Sequence, residues 1–371
     1  MRVLVAPDKF AGTLTAVHAA AAIADGWARQ APEDKIRRVP MADGGPGFLD
    51  VLHDALGGEL LSVETPGPFG EPTPAGILIA DGTAYVESSQ ACGRHLTARS
   101  VATGAPGAER ATTLGVGLLL LAAIDAGVRK VVVGLGGSGT NDAGAGMLRA
   151  LGSDADAELA GGPAGLAGVT RVDLSAARER VGDIAIVIAT DVDNPLLGLI
   201  GATSVYGAHK GIDKDRLLLV DSWLGEFADA TDRKLANQRG AGAAGGLGFG
   251  LMLLGGWRVP GVQLVAEAVG LAEHCRWSDL VVTGEGTFDV QSRSGKVAYG
   301  VAEASGRAVR PCIALAGQVF VGSREMRAMG IESAYSVVDL VGADAAFAQP
   351  YDSLARLAGR VARTWSRSQQ R

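Results

Sequence analysis

Lys130-Val131-Val132-Val133-Gly134-Leu135-Gly136-Gly137-Ser138-Gly139-Thr140-Asn141-Asp142-Ala143-Gly144-Ala145-Gly146 is the stretch that reveals what kind of fold this chain builds. The β-branched run predicts a buried strand, the glycines a tight loop, and Met147-Leu148-Arg149-Ala150-Leu151 the helix that follows. Strand, glycine-rich loop and helix in succession are the repeating unit of an α/β fold. Bare N–H groups and a helix dipole in such a place can cradle a phosphate. No Gly-Lys-Ser/Thr closes the loop, so it is not a Walker A motif. Its glycine spacing is not the dinucleotide fingerprint either. Taken alone, the stretch fits a plain tight turn as well as an anion cradle.

Further strand ends of the same kind surround it. Ala6-Pro7-Asp8-Lys9-Phe10 closes the first predicted strand, Arg2 to Ala6, and Met41-Ala42-Asp43-Gly44-Gly45 closes the second, about Ile36 to Met41. Ala189-Thr190-Asp191-Val192-Asp193-Asn194-Pro195 ends a strand over Asp183–Thr190. Leu280 to Thr283 runs into Gly284-Glu285-Gly286-Thr287-Phe288-Asp289, with Gln291-Ser292 and Gly295-Lys296 beyond. Asp, Lys, Asn and Gly thus recur past strand C-terminal ends, the edge where open α/β sheets bind ligands. Carboxylates beside a polyphosphate imply a divalent cation, because they would otherwise repel it.

The alternation continues outward. A helix is expected from Thr15 to Gln30, with Thr13 or Thr15 as cap, and another from Phe48 to Leu56, stopped by Gly57-Gly58. Near the other end, helices over Lys296–Ser305, Ser323–Met329 and Tyr351–Ser366 alternate with strands over Leu280–Thr283, Pro311–Ala316 and Ala334–Leu340. Together with the two N-terminal strands these make about five parallel strands, which can wind in the order 2-1-3-4-5. In that order the first and third strands flank the switch point, and their ends carry Asp8-Lys9 and Gly284-Glu285. Between them lie a hairpin turning at Asp81-Gly82, a helix over Thr112–Gly127, an amphipathic helix over Leu217–Asn237 and a glycine-rich loop over Arg239–Gly250.

Composition narrows the function classes. A chain of 371 residues, 47% hydrophobic, is long enough for two domains. A net charge of −6 with 20% charged residues offers no basic patch for nucleic acid and disfavours acidic membrane surfaces. The three cysteines, Cys92, Cys275 and Cys312, are too scattered for a zinc site or a disulfide framework. The most apolar run, Leu114 to Ile124, is too short to span a bilayer, and no signal segment is apparent. A cytoplasmic protein is expected.

Each polar strand end suggests a role. Lys9 and Lys296, with the backbone at Gly44-Gly45 and Gly136-Gly137-Ser138-Gly139, are candidate anion binders. Asp191 is the first candidate for a general base, with Asp289 and Glu285 as rivals. Glu285 or Asp289 can hold Mg²⁺ through one carboxylate and several waters. Asp8 and Asp43 are candidates for metal or substrate hydroxyls, and Ser138, Thr140 and Asn141 for phosphate or substrate oxygens.

Six of these motifs occur together and in order: Ala6-Pro7-Asp8-Lys9-Phe10, Met41-Ala42-Asp43-Gly44-Gly45, Gly134-Leu135-Gly136-Gly137-Ser138, Asp191-Val192-Asp193-Asn194-Pro195, Gly242-Ala243-Ala244-Gly245-Gly246 and Thr283-Gly284-Glu285-Gly286. In this the chain resembles the bacterial type-1 glycerate kinase family, from residue 2 to about residue 340. The resemblance implies a flavodoxin-like doubly wound domain built from both chain ends, 1–66 and 278–371. A second α/β domain, 67–277, would be inserted into it, with the active site in the cleft between. It implies ATP-dependent phosphorylation of D-glycerate, with 2-phosphoglycerate as the usual product. With Mg²⁺ expected from the carboxylates, the residues themselves point to Asp191, Lys9 and Asp289 as catalytic, in a monomer or homodimer. Several positions depart from the family pattern. Ala11, Pro46, Phe48 and Thr287 replace polar or charged residues, and Gly115-Val116-Gly117-Leu118-Leu119 lacks a hydroxyl and a carboxylate. His209 in Gly207-Ala208-His209-Lys210-Gly211 departs as well. These changes keep open a kinase of another small hydroxy acid, or a non-catalytic nucleotide- or acid-binding paralogue.

Overall fold

The computed structural model describes residues 1–102, 107–289 and 296–366. Gln291, Ser292 and Gly295 lie outside the described residues. In chain order the strands are β1 (Arg2–Val5), β2 (Lys35–Arg38), β3 (Glu59–Pro66), β4 (Pro72–Ala80), β5 (Thr83–Glu87) and β6 (Lys130–Gly134). There follow the short β7 (Asp154–Ala155) and β8 (Val172–Asp173), then β9 (Ala185–Ala189), β10 (Trp257–Val259), β11 (Leu280–Phe288), β12 (Cys312–Val319) and β13 (Ser333–Ser336). The chain divides into two compact units. The terminal unit comprises Met1–Asp43, Asp50–Gly57 and Val262–Arg371, and the central unit Gly44–Leu49 and Gly58–Gly261.

The terminal unit is built on a five-stranded parallel sheet in the order β2-β1-β11-β12-β13. Val3 pairs with Leu280 and Val5 with Val282, so the two chain ends meet at the sheet centre. Val3, Val5, Leu280, Val282, Ile313 and Leu315 form one core with Ile23 and Trp27 of the helix Ala16–Gln30 and Leu357 and Val361 of the helix Pro350–Trp365. Leu4, on the opposite face of β1 by strand alternation, is also fully buried, so the sheet is covered on both sides. Thr15 caps the first helix by accepting the His18 N–H at 3.2 Å. Trp27 donates to Asp34 at 2.9 Å, and Asp34 also takes the N-terminal ammonium.

The central unit holds a six-stranded mixed sheet, β10-β9-β6-β5-β4-β3. Strands β3, β4 and β5 form an antiparallel meander, and β5, β6, β9 and β10 run parallel. Asp81 and Gly82, both with positive φ, turn the β4–β5 hairpin. Ile77, Val86, Val131, Val133, Ile186 and Ile188 pack with Leu119, Leu148, Phe227 and Phe249 into its core.

Several segments differ from the sequence expectation. Residues 59–66, expected within the terminal domain 1–66 and without a strand of their own, form β3, which pairs with β4 in the central unit. The helix Leu271–Trp277 belongs to the terminal unit, where the Arg37 guanidinium stacks 4.0 Å from the Trp277 ring centre. The expected helix Leu217–Asn237 stops at Ala230, because the Asp232 carboxylate takes the N–H groups of Lys234 and Leu235 and starts a new turn. Arg239–Gly250 is not a loop throughout: after left-handed residues 244–246 it becomes the second half of the helix Ala243–Leu253. Strand β13 ends at Ser336, whose side chain caps the helix Val337–Val341. All three cysteines are buried, and among the described residues no helix is long and apolar enough to cross a membrane.

Candidate active site

In the terminal unit, the expected residues at the C-terminal ends of β1, β2 and β11 come together. The pairing of β1 with β11 runs on past the strand, through Ala6 N–H to Val282 O and Asp8 N–H to Gly284 O, each at 2.8 Å. That register sets Asp8, just past β1, beside Gly284 and Glu285 of β11, which continues to Phe288 rather than ending at Thr283, at the point where strand order reverses. Lys9 Nζ lies 3.5 Å from Asp8 and 3.4 Å from Asp43. Lys296 Nζ lies 3.9 Å from Glu285 and 3.7 Å from Asp289. Lys296 immediately precedes the helix Val297–Arg307 as its cap residue. Asp8, Lys9, Asp43, Glu285 and Lys296 line a cavity of about 340 Å³.

Four carboxylates here face two ammonium groups. Asp8, only 8% exposed, has its pKa pushed up to about 6. Burial is the main cause; Lys9 opposes it and Asp43 adds to it. Burial works against the Lys9 ammonium, but Asp43 and Asp8 outweigh it and hold its pKa above the ordinary lysine value. A cluster with more carboxylates than cations has room for a metal ion. Among the described residues, no group of three or more His, Cys, Asp or Glu side chains forms a ready metal cage. Carboxylate oxygens are the donor type that magnesium takes, one or two of them with waters and phosphate oxygens.

The remaining expected residues lie in the central unit. Gly44 and Gly45 cross the end of β6 so closely that a Cβ on Gly44 would meet Ala189 O at 2.6 Å, and one on Gly136 would meet Gly45 Cα at 2.6 Å. These glycines let two backbones touch. Gly137, with φ +68°, packs against Pro46. The helix after the loop, Ala145–Ala150, has no open N-terminus. The buried Asp142 carboxylate accepts the N–H groups of Gly144 at 3.1 Å and Gly146 at 3.2 Å, and that of Thr113 at 2.7 Å. The simple cradle, with phosphate on the helix N-terminus, is thus taken by the protein's own carboxylate.

Ser138, Thr140 and Asn141 are buried. Asn141 Nδ2 donates to Thr203 at 2.9 Å, while its Oδ1 is buried with no hydrogen-bond partner among the described residues. Asp191 follows β9, partly exposed, after the buried Thr190, whose hydroxyl donates to Leu135 O at 3.2 Å. Asp193 is engaged by Arg239 and Arg258.

Lys210 was not among the expected site residues. Its ammonium donates to Ser138 Oγ at 2.9 Å and to Thr140 O at 2.6 Å. Burial lowers its pKa to about 8, against the smaller opposing effects of Cys92 and Asp142. The only sequence signal was its place in Gly207-Ala208-His209-Lys210-Gly211, 69 residues beyond Asn141. Ala11 and Thr287, two of the departures from the family pattern, line the terminal-unit cavity, whereas Leu118 sits in the helix Leu114–Asp125.

Comparison with known proteins agrees with the motif order. The Glycerate kinase family model matches residues 3–366. A glycerate kinase of Halalkalibacterium halodurans is 38% identical over 99% of both chains. The glycerate 2-kinase of Escherichia coli K12 is 35% identical over 98% of both. The crystal structure of a Salmonella typhimurium LT2 protein, described as a glycerate kinase 2, superposes with a TM-score of 0.81 at 32% identity, covering 100% of each chain.

Proposed function

The chain belongs to the glycerate kinase family, and from that premise we propose that it transfers the γ-phosphoryl group of Mg²⁺-ATP to the C2 hydroxyl of D-glycerate, giving 2-phosphoglycerate. The observation that carries this reading is the set of Asp8, Lys9, Asp43, Glu285, Asp289 and Lys296 gathered at the C-terminal edge of a parallel sheet. The order of that sheet is the one flavodoxin-like folds use, and we assign the terminal unit to that type, with the central unit as an inserted second domain.

The chemistry of phosphoryl transfer is mostly positioning and charge neutralisation. Lys9 and Lys296 draw the phosphate oxygens in. Glu285 and Asp289 would hold magnesium, which neutralises charge on the β- and γ-phosphates when bound. Asp43 keeps Lys9 charged, and Asp8 orients it. In the central unit Lys210 and Ser138 hold the carboxylate of the acid, and Asn141 Oδ1 accepts from a hydroxyl. The backbone at Gly44-Gly45 and Gly136-Gly137 shapes that loop, with Thr140 fixing Lys210 through its carbonyl. Asp191 takes the proton of the attacking hydroxyl. The enzyme would act in the cytoplasm, as a monomer or homodimer, on small molecules alone.

ADP release with Mg²⁺-ATP and D-glycerate, with the product resolved by ³¹P NMR, tests the proposal. Phosphate on C2 supports it; ADP release with phosphate on C3 refutes the regiochemistry. A second reading, another small hydroxy acid as acceptor, is favoured by Ala11 and Thr287 on the cavity lining. Silence with D-glycerate and turnover with a different hydroxy acid would select it. ATP binding without turnover of any acid would point to a sensor.

A further inference from the structure

Charged groups make up only part of the lining of the terminal-unit cavity. Apolar side chains make up much of the rest, a wall of Leu14 after β1 and of Val337, Val338, Phe347 and Leu354 from the three consecutive helices Val337–Val341, Ala343–Ala348 and Pro350–Trp365. Gln318, near the end of β12, adds a polar edge. Phe347 is 65% exposed, an aromatic ring left at a rim where packing does not demand it.

Val337 and Leu354 also belong to the core of the unit, with Leu14 packed against it, but neither that core nor phosphoryl transfer to a three-carbon acid accounts for the exposed Phe347 on the cavity lining. Such an acid carries a carboxylate and hydroxyls and offers nothing apolar to bury. A nucleotide does: the faces of its base are apolar, its edge is polar, and its far end is a polyanion. The cavity lining offers the same kinds of surface, apolar side chains, an amide, and two ammonium groups among carboxylates. Its volume, about 340 Å³, falls in the range of pockets that enclose ligands larger than a three-carbon acid. We propose that the wall formed by Leu14, Val337, Val338, Phe347 and Leu354 is the adenine site of the phosphoryl donor, with Phe347 covering one face of the base and Gln318 at its edge. The inference rests on the kinase reading above and adds which unit holds the base.

The test uses the full-length enzyme and two variants, Phe347→Ala and Phe347→Trp. The side chain is mostly exposed, so the alanine variant keeps the fold, which an unchanged unfolding midpoint verifies. Stacking of a base on an aromatic ring predicts a KM for ATP raised about five- to tenfold in Phe347→Ala and restored in Phe347→Trp. The KM for the hydroxy acid should not follow. Isothermal titration with adenosine, which has no phosphates, should show binding to the wild-type protein that Phe347→Ala weakens. A change in the KM of the acid instead would make the wall part of the acceptor site and overturn the inference, as would no change in either constant. Phe347-dependent adenosine binding in a protein that turns over no hydroxy acid would uphold the base site while refuting the kinase reading.

Discussion

Replacing Asp8 by Asn should make the terminal unit more stable at neutral pH while depressing turnover. In the folded protein Asp8 takes up its proton near pH 6, against an ordinary value of 3.8. The folded state therefore binds this proton more tightly than the unfolded chain does. Below about pH 4 both states are protonated and the group favours the fold. That advantage is lost as pH rises from about 4 to about 6, and above pH 6 the buried carboxylate is a standing cost. A shift of about two units corresponds to about 3 kcal/mol at pH 7.5. Asparagine has the same shape, carries no charge, and keeps an oxygen to accept the Lys9 N–H, now held at 2.7 Å. Lys9 retains Asp43. Native-state amide exchange of β1, whose central residues Val3, Leu4 and Val5 are fully buried, reads the opening of this unit directly. The expected result is slower exchange in Asp8→Asn at pH 7.5, by about 3 kcal/mol in opening free energy. The gap should close as pH falls from 6 towards 4. A variant less stable than the wild type at pH 7.5, or a gap that does not change with pH, would refute the argument. A loss of kcat alongside the gain in stability would be the usual trade at a site built from strained electrostatics.

Asp191→Asn should lower kcat by about 100-fold or more and leave the KM for ATP near its wild-type value; near-normal turnover would move the base elsewhere, with Asp289 next to test. Lys210→Gln keeps donors for Ser138 and Thr140 but not the charge, so it should raise the KM for the acid and spare that for ATP. In the wild type that KM should climb above pH 8, as the Lys210 ammonium facing Ser138, Thr140, Cys92 and Asp142 loses its proton, whereas the glutamine variant should lack this climb. Gly26→Ala would drive a Cβ to 2.0 Å from Ala355 O, where the helices Ala16–Gln30 and Pro350–Trp365 touch. Separating them should cost about 1–3 kcal/mol, seen as a lower urea midpoint for the terminal unit.

The alternation of strands and helices was legible because each element carries its own period and its own stop signal. So was the edge of the terminal sheet that gathers charge: Asp8, Lys9 and Asp43 each follow a strand within a few residues, Glu285 lies in the C-terminal half of β11, which runs on to Phe288 rather than stopping at Thr283, and a parallel sheet puts all such ends on one side. Other features escaped for physical reasons. Ala243–Leu253 has no apolar stripe because most of it is buried on every side, and a helix buried all round leaves no amphipathic signal. Strand β13 and the helix after it share one apolar run, and only the hydroxyl of Ser336 capping Asp339 separates them. The glycine loop after β6 looks in sequence like a phosphate cradle, but tertiary structure fills its helix N-terminus with Asp142. It also brings Lys210 onto Ser138 from 72 residues away. The apolar wall of the terminal-unit cavity depends still more on the fold. Leu14 and Phe347 both line it because β1 pairs with β11 at the sheet centre, which lets residues more than 300 positions apart share one pocket. Local chemistry was written in the sequence; which groups face one another was decided by long-range strand pairing and burial, which no local pattern records.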